Sequence, residues 1–109
     1  MADLHGVPFG NLLAAVAAPL GGEVFEEILR CRHVRIERIV SSDRPDQALY
    51  DQDHDEWVCL LQGDADLWIA GATVPLKAGD YRFIPARTPH RVVRTSTAPP
   101  CVWIAVHIS

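Results

Sequence analysis

From residue 23 onward the chain alternates apolar and polar residues with a period of two rather than 3.6, the signature of β-strands. His33–Val40 (HVRIERIV) alternates cleanly, with Val34, Ile36, Arg38 and Val40 on one face. Trp57–Gln62 (WVCLLQ) is an apolar run, as expected of a strand covered on both sides. Turn signals follow at short intervals: Gly63-Asp64, Gly71-Ala72, Ala78-Gly79-Asp80, the PARTP loop at 85–89 and the STAPP loop at 96–100. Between them lie short segments around Leu67–Ile69, Val74–Leu76, Tyr81–Ile84, His90–Thr95 and Val102–Ile108. With Glu23–Arg30, about eight strands spaced by roughly 8–12 residues predict an all-β sandwich or barrel. Residues 1–22 precede the pattern and are expected to form a short N-terminal arm on a barrel of residues 23–109. The apolar stretch Leu12–Leu20 is too short to span a bilayer.

Composition bounds the function. The chain has 109 residues, 49% hydrophobic and 22% charged, with a formal net charge of −4. That suits one domain with its own core. The charge balance gives no footprint for nucleic acid or an anionic membrane. The absence of a helix-turn-helix pattern argues against a DNA-binding regulator. Residues 1–11 carry no Lys or Arg, so a basic leader region is missing. Three widely spaced cysteines, Cys31, Cys59 and Cys101, fit neither a zinc knuckle nor a disulfide framework. Free thiols point to a reducing, cytoplasmic setting.

Two segments carry a resemblance. Glu56 is followed by six residues and Gly63, an E-x6-G pattern; Gly79, Pro85 and His90 form G-x5-P-x4-H. Together, in this order and within an all-β pattern, they resemble the two motifs of the cupin family. The resemblance covers residues 33–108 and implies a double-stranded β-helix, a jelly-roll barrel. Family members commonly hold a metal through two histidines and a glutamate of the first motif and a histidine of the second. Only Glu56 and His90 match here. The two histidine positions are Tyr50 and Gln52, the glycine two residues after the motif-two proline is Arg87, and the last asparagine is Arg94.

The resemblance thus implies a thinned divalent-metal site of Gln52, Glu56 and His90, for Mn, Fe, Ni or Zn. An amide oxygen and one carboxylate replace much of the imidazole that late transition metals prefer. His54 is a candidate fourth ligand if residues 50–56 run as one strand, since Tyr50, Gln52, His54 and Glu56 share parity; a corner before Glu56 would instead leave it on an acidic rim. Asp51, Asp53 and Asp55 lack the calcium-loop glycine and distal glutamate, and read as a solvated rim. No nucleotide or organic cofactor is indicated.

Arg38 shares a face with Val34, Ile36 and Val40, the row that reads as inward; there it would bind a carboxylate or phosphate in the cavity, or, near the end of its strand, reach the surface or pair with an aspartate of residues 51–55. Tyr50 is expected at the edge of the same pocket. His107 alternates with Trp103 and Ala105 opposite an all-apolar row, so it is expected outside or at a subunit contact. His33 falls on a solvated face with Arg35 and Glu37, and His5 in the arm. The outward rows Trp57, Cys59 and Leu61 and Trp103 and Ala105 imply cover by the arm or a second subunit, and hence a homodimer. The function expected is a barrel that binds a small polar or anionic molecule and, weakly, a divalent metal. The alternatives are a metal-dependent oxygenase, isomerase or lyase using Glu56 and His90, a metal-free binding barrel, and a metal-independent epimerase-like barrel using His90 and Tyr50.

Overall fold

Short turns punctuate the alternating segments and fold them into eight antiparallel strands, in a computed structural model that describes residues 8–109. The strands are β1 (Glu23–Cys31), β2 (Val34–Ser41), β3 (Asp55–Gln62), β4 (Asp64–Ile69), β5 (Ala72–Lys77), β6 (Tyr81–Ile84), β7 (His90–Thr95) and β8 (Cys101–Ile108). They form a five-stranded sheet, β1-β2-β8-β3-β6, facing a three-stranded sheet, β5-β4-β7. This is the expected jelly-roll barrel.

Turn chemistry follows backbone need. Ala70 and Gly71 both have positive φ (48° and 95°) in the two-residue turn between β4 and β5, the conformation that matches the twist of a hairpin. Gly63, at φ 89°, reverses the chain between β3 and β4. Pro75 sits in β5, an edge strand, where a missing N–H costs no inner ladder bond.

The core packs between the two sheets and runs up to the cavity wall. Val58, Leu60, Ala65, Leu67, Leu76, Ile84, Cys101 and Trp103 are buried together. Trp103 donates its indole N–H to Ser41 Oγ at 3.0 Å, so its polar edge is satisfied inside.

Two sequence expectations about strand faces are overturned. In β2 the inward residues are Glu37, Ile39 and Ser41, and Arg38 lies on the outer face with Val34, Ile36 and Val40. In β8 the inward residues are Trp103, Ala105 and His107; His107 is 4% exposed and faces the barrel interior. Parity sorts each strand into two rows, and here the more apolar row does not face the interior. This barrel holds polar groups inside and presents the apolar rows of β2 and β8 on the back of the large sheet. The arm covers part of that back: Arg38 Nη1 donates to the carbonyls of Leu12 (3.3 Å) and Ala14 (2.6 Å), and its Nε lies 3.1 Å from Glu26 Oε2. His5 lies outside the described residues.

Candidate functional site

The site is assembled from the middle rows of the large sheet and the mouth of the small one. Antiparallel register sets Glu56 of β3 opposite His107 of β8, and His107 opposite Arg35 of β2. An isolated bridge joins Tyr50 to His90 at the start of β7, with hydrogen bonds in both directions. The chain from Ser42 to His54 crosses the barrel mouth and brings Asp46, Tyr50 and Gln52 to the same cavity. Gly22 and Ser42 tie its entry: Gly22 N–H donates to Arg44 O, and Ser42 N–H to Gly22 O. Its exit is tied by Arg87, whose N–H donates to Gln52 O and whose guanidinium meets the Asp51 carboxylate at 3.2 Å.

The resulting cavity is about 70 Å³ and open to solvent. Glu56 and His90 converge in it. Their side chains are 9% and 8% exposed, and His90 Nε2 lies 3.7 Å from Glu56 Oε1. His90 Nδ1 is 2.9 Å from Thr88 O. That carbonyl can only accept, so it fixes the proton on Nδ1 and leaves Nε2 as the free lone pair facing Glu56. Tyr50 stacks on the His90 ring with centroids 5.7 Å apart. Burial pushes the Tyr50 phenol up, and the charges of Glu23, Asp46, Glu37 and Glu56 push the same way, so it stays a protonated donor. Burial would lower His90, but the Glu56 carboxylate, the Thr88 carbonyl and the Asp51 charge together hold it above its ordinary value.

Behind this pair runs a polar chain that the sequence reading missed. His107 Nε2 is 2.9 Å from Glu37 Oε1, and Glu37 Oε2 accepts from Arg35 at 2.8 Å. His107 Nδ1 is 2.9 Å from His54 Nε2, and His54 Nδ1 is 3.3 Å from Asp53. Both nitrogens of His107 are therefore engaged, although Nδ1 is also 3.9 Å from Glu56. His54 does not line the cavity. Residues 51–54 are not strand, and β3 starts at Asp55. The single-strand geometry that would have turned His54 inward beside Glu56 is absent, and the ring bonds to His107 instead.

The donors that meet at the centre are thus His90 Nε2 and a Glu56 oxygen, and Gln52 lines the same cavity. His90 and Glu56 are closer than two metal–ligand bonds of about 2.0–2.2 Å each, so one ion can reach both. Among the described residues, no group of three or more His, Cys, Asp or Glu is arranged to hold a metal ion. The donor chemistry suits a loosely held ion. Arg38 does not line the cavity, so the expected cationic anchor for an anionic ligand is missing. The signal that could have revealed His107 and Glu37 is their shared parity with Trp103 and Ser41, which bond to each other between the neighbouring strands β8 and β2 on the inner face.

Comparison with known proteins follows the same lines. A family model described as a cupin domain matches residues 43–107. A crystal structure from Ralstonia eutropha, of a protein assigned provisionally as a mannose-6-phosphate isomerase, is similar at 36% identity. It is covered over 97% of its length against 93% of this chain, with a TM-score of 0.84. An RmlC-like cupin from Desulfovibrio desulfuricans matches at 20% identity over 92% of this chain and 94% of its own, TM-score 0.79. The Fe(II) form of HppE matches at 17% identity over 80% of this chain and half of its own, TM-score 0.70. At these lower identities the likeness is one of fold. A comparison with curated proteins returns no match.

Proposed function

The chain belongs to the cupin family, and on that premise we propose that it binds a small molecule inside the barrel, at a centre of Glu56 and His90 that also suits a loosely held divalent ion. The observation that carries this reading is the convergence of His90 Nε2 and Glu56 in an open cavity, with Thr88 fixing the imidazole tautomer. An orienting carbonyl behind an imidazole is the usual support of a metal-binding or proton-accepting histidine.

His90, Glu56 and Gln52 would hold the ion. When bound in place of an organic ligand on Glu56, a divalent ion would supply a Lewis-acid centre. One carboxylate and a neutral amide leave its charge only partly compensated, so occupancy is partial and selectivity among Mn, Fe, Ni and Zn is loose. The chain's own groups bind and orient the ligand: apolar contacts come from Phe25, Ile39 and Trp103, and a hydrogen bond from the Tyr50 hydroxyl.

A second reading, proton-transfer chemistry of the isomerase or lyase kind, is favoured by the protonated Tyr50 stacked on His90. There Glu56 or His90 accepts a proton and Tyr50 donates one. The Ralstonia assignment would bring a sugar phosphate to this cavity, but no Lys or Arg is among its lining residues.

The outer row Ile36, Val106, Trp57 and Phe83 is continuous across four strands, which supports a homodimer. Cys31, Cys59 and Cys101 are unpaired, which suits the cytoplasm, and no helix is long and apolar enough to cross a membrane among the described residues.

Calorimetric titration of protein purified without a metal-affinity tag tests the ion. Weak uptake of Mn, Fe(II), Ni or Zn near neutral pH is expected, and is expected to vanish in His90→Ala. Absence of uptake for all four ions would leave a metal-free binding barrel.

A further inference from the structure

The cavity is lined by the carboxylates Glu23, Glu37, Asp46 and Glu56, without a lysine or arginine. These four are not equivalent. Glu37 is satisfied by His107 and Arg35. Asp46 is exposed at the mouth. The Glu56 side chain is nine-tenths buried, and the nitrogens nearest to it, on His90 and His107, stand at 3.7 and 3.9 Å, beyond hydrogen-bond reach. Glu23 adds an oxygen, Oε1, that is buried without a hydrogen-bond partner. A carboxylate withdrawn from water is costly unless a donor reaches it. Glu56 lines the open cavity, so a ligand's donor can reach its oxygens from there.

The wall around these oxygens is of a different character. Phe25, Ile39, Leu67, Val92 and Trp103 line the cavity alongside the Tyr50 ring. A bare divalent ion would satisfy Glu56 and leave that apolar and aromatic wall uncovered. An anion would meet carboxylates with no guanidinium or ammonium to offset them. An alkylammonium answers both features: its N–H groups donate to carboxylate oxygens, its charge is favoured by aromatic faces, and its carbon body covers apolar wall.

We propose that the barrel's ligand is an organic ammonium with an apolar body, its cationic head on Glu56 and its body against Phe25, Tyr50 and Trp103. Glu23 and Asp46 at the mouth attract the cation and contribute to holding it. This rests on the reading of the cavity as a ligand site, and it narrows the ligand from any small polar molecule to a cation. A loosely held metal ion and the ammonium claim the same carboxylate and exclude one another.

Three probes with one five-carbon chain separate the possibilities: n-pentylammonium, 1-pentanol and hexanoate, titrated into metal-free protein. Binding is followed by the Trp103 indole and His90 resonances in NMR spectra. The ammonium is expected to bind at least roughly tenfold more tightly than the alcohol, the scale of one hydrogen bond to a charged group, with hexanoate weakest. Glu56→Gln is expected to bring the ammonium down to the level of the alcohol while alcohol binding persists. Should that variant fold poorly, Glu23→Gln is expected to show a smaller, several-fold loss of the ammonium only. Equal affinity for ammonium and alcohol, or tightest binding of hexanoate, would overturn the cationic assignment and leave the cavity as a ligand site. If none of the three moves those resonances, the cavity reading itself falls and this inference with it.

Discussion

At the scale of single residues, Glu37 shows how the inner polar groups are tied to stability. Burial by itself would raise its carboxyl, but the hydrogen bond and charge of His107 and the Arg35 guanidinium outweigh it, and the pKa lies below the ordinary carboxylate value. A depressed carboxylate contributes stability that is fully present above its unfolded pKa and lost as pH falls through the folded one. Thermal unfolding followed from pH 7 downward should therefore lose midpoint temperature below about pH 4.5. Glu37→Gln should flatten that acid limb and cost roughly 1–3 kcal/mol at neutral pH, because His107 loses its charged acceptor. Arg87 gives a contrasting case. It stands where the family motif has glycine, and it adopts φ 61°, a left-handed conformation that costs a residue with a Cβ about 1–2 kcal/mol. Its compensation is the exposed Asp51 pair, a contact of small value. Arg87→Gly should therefore be neutral or stabilising by up to about 1 kcal/mol in urea unfolding. Glu56 and His90 were legible from motif spacing because spacing encodes which strand ends meet. His107, Glu37 and the outward placement of Arg38 were not, because strand parity sorts residues into two faces without saying which face the site occupies.

At the scale of elements, all eight strands were legible, since a period of two and Gly- or Pro-bearing turns are local properties. The segment from 50 to 54 was not. Its parity suits a strand, but the bridge of Tyr50 to His90 and the bond from Arg87 N–H to Gln52 O bend it across the barrel mouth. These are contacts between residues 35 to 40 positions apart, which no local pattern records. The β3–β4 turn carries a sharper constraint. A Cβ on Gly63 would lie 2.7 Å from Ser96 Oγ, 2.9 Å from Cys101 Sγ and 3.1 Å from Cys101 Cα, at φ 89°. The last of these is backbone and cannot swing away. Gly63→Ala should cost at least roughly 1–3 kcal/mol, measured by urea unfolding, whereas Gly71→Ala, with open space around it, should cost only its backbone strain. A smaller loss for Gly63 than for Gly71 would contradict the close packing of this turn on β8.

At the scale of the whole molecule, the apolar back of the five-stranded sheet and the polar interior are one arrangement. The rows of β2 and β8 that look like core are turned outward, which leaves Glu37, Glu56 and His107 inside and gives the sheet a second surface to cover. The arm covers the β1–β2 side through Arg38. Toward β6, Tyr81 and Phe83 remain 65% and 56% exposed, and Trp57 packs on Tyr81 with ring centroids 5.6 Å apart. A homodimer across this face should bury roughly 1,200–2,000 Å². Sedimentation at tens of micromolar is expected to show a dimer, and Phe83→Glu to shift it toward the 12.1 kDa monomer. A wild-type protein sedimenting only as monomer would leave the face without a partner copy.

The polar interior around Glu56 and His90 is the proposed ligand site, and every other prediction about function depends on it. Paramagnetic broadening by substoichiometric Mn²⁺ in ¹H–¹⁵N NMR spectra tests it most directly, because the effect reports distance from the ion residue by residue. Broadening is expected to be strongest at Gln52, Glu56 and His90, to extend to Ile84 and His107, and to disappear in Glu56→Gln. Broadening centred on Asp64 and Asp66, or on the exposed Asp53 with Glu56 and His90 spared, would contradict it.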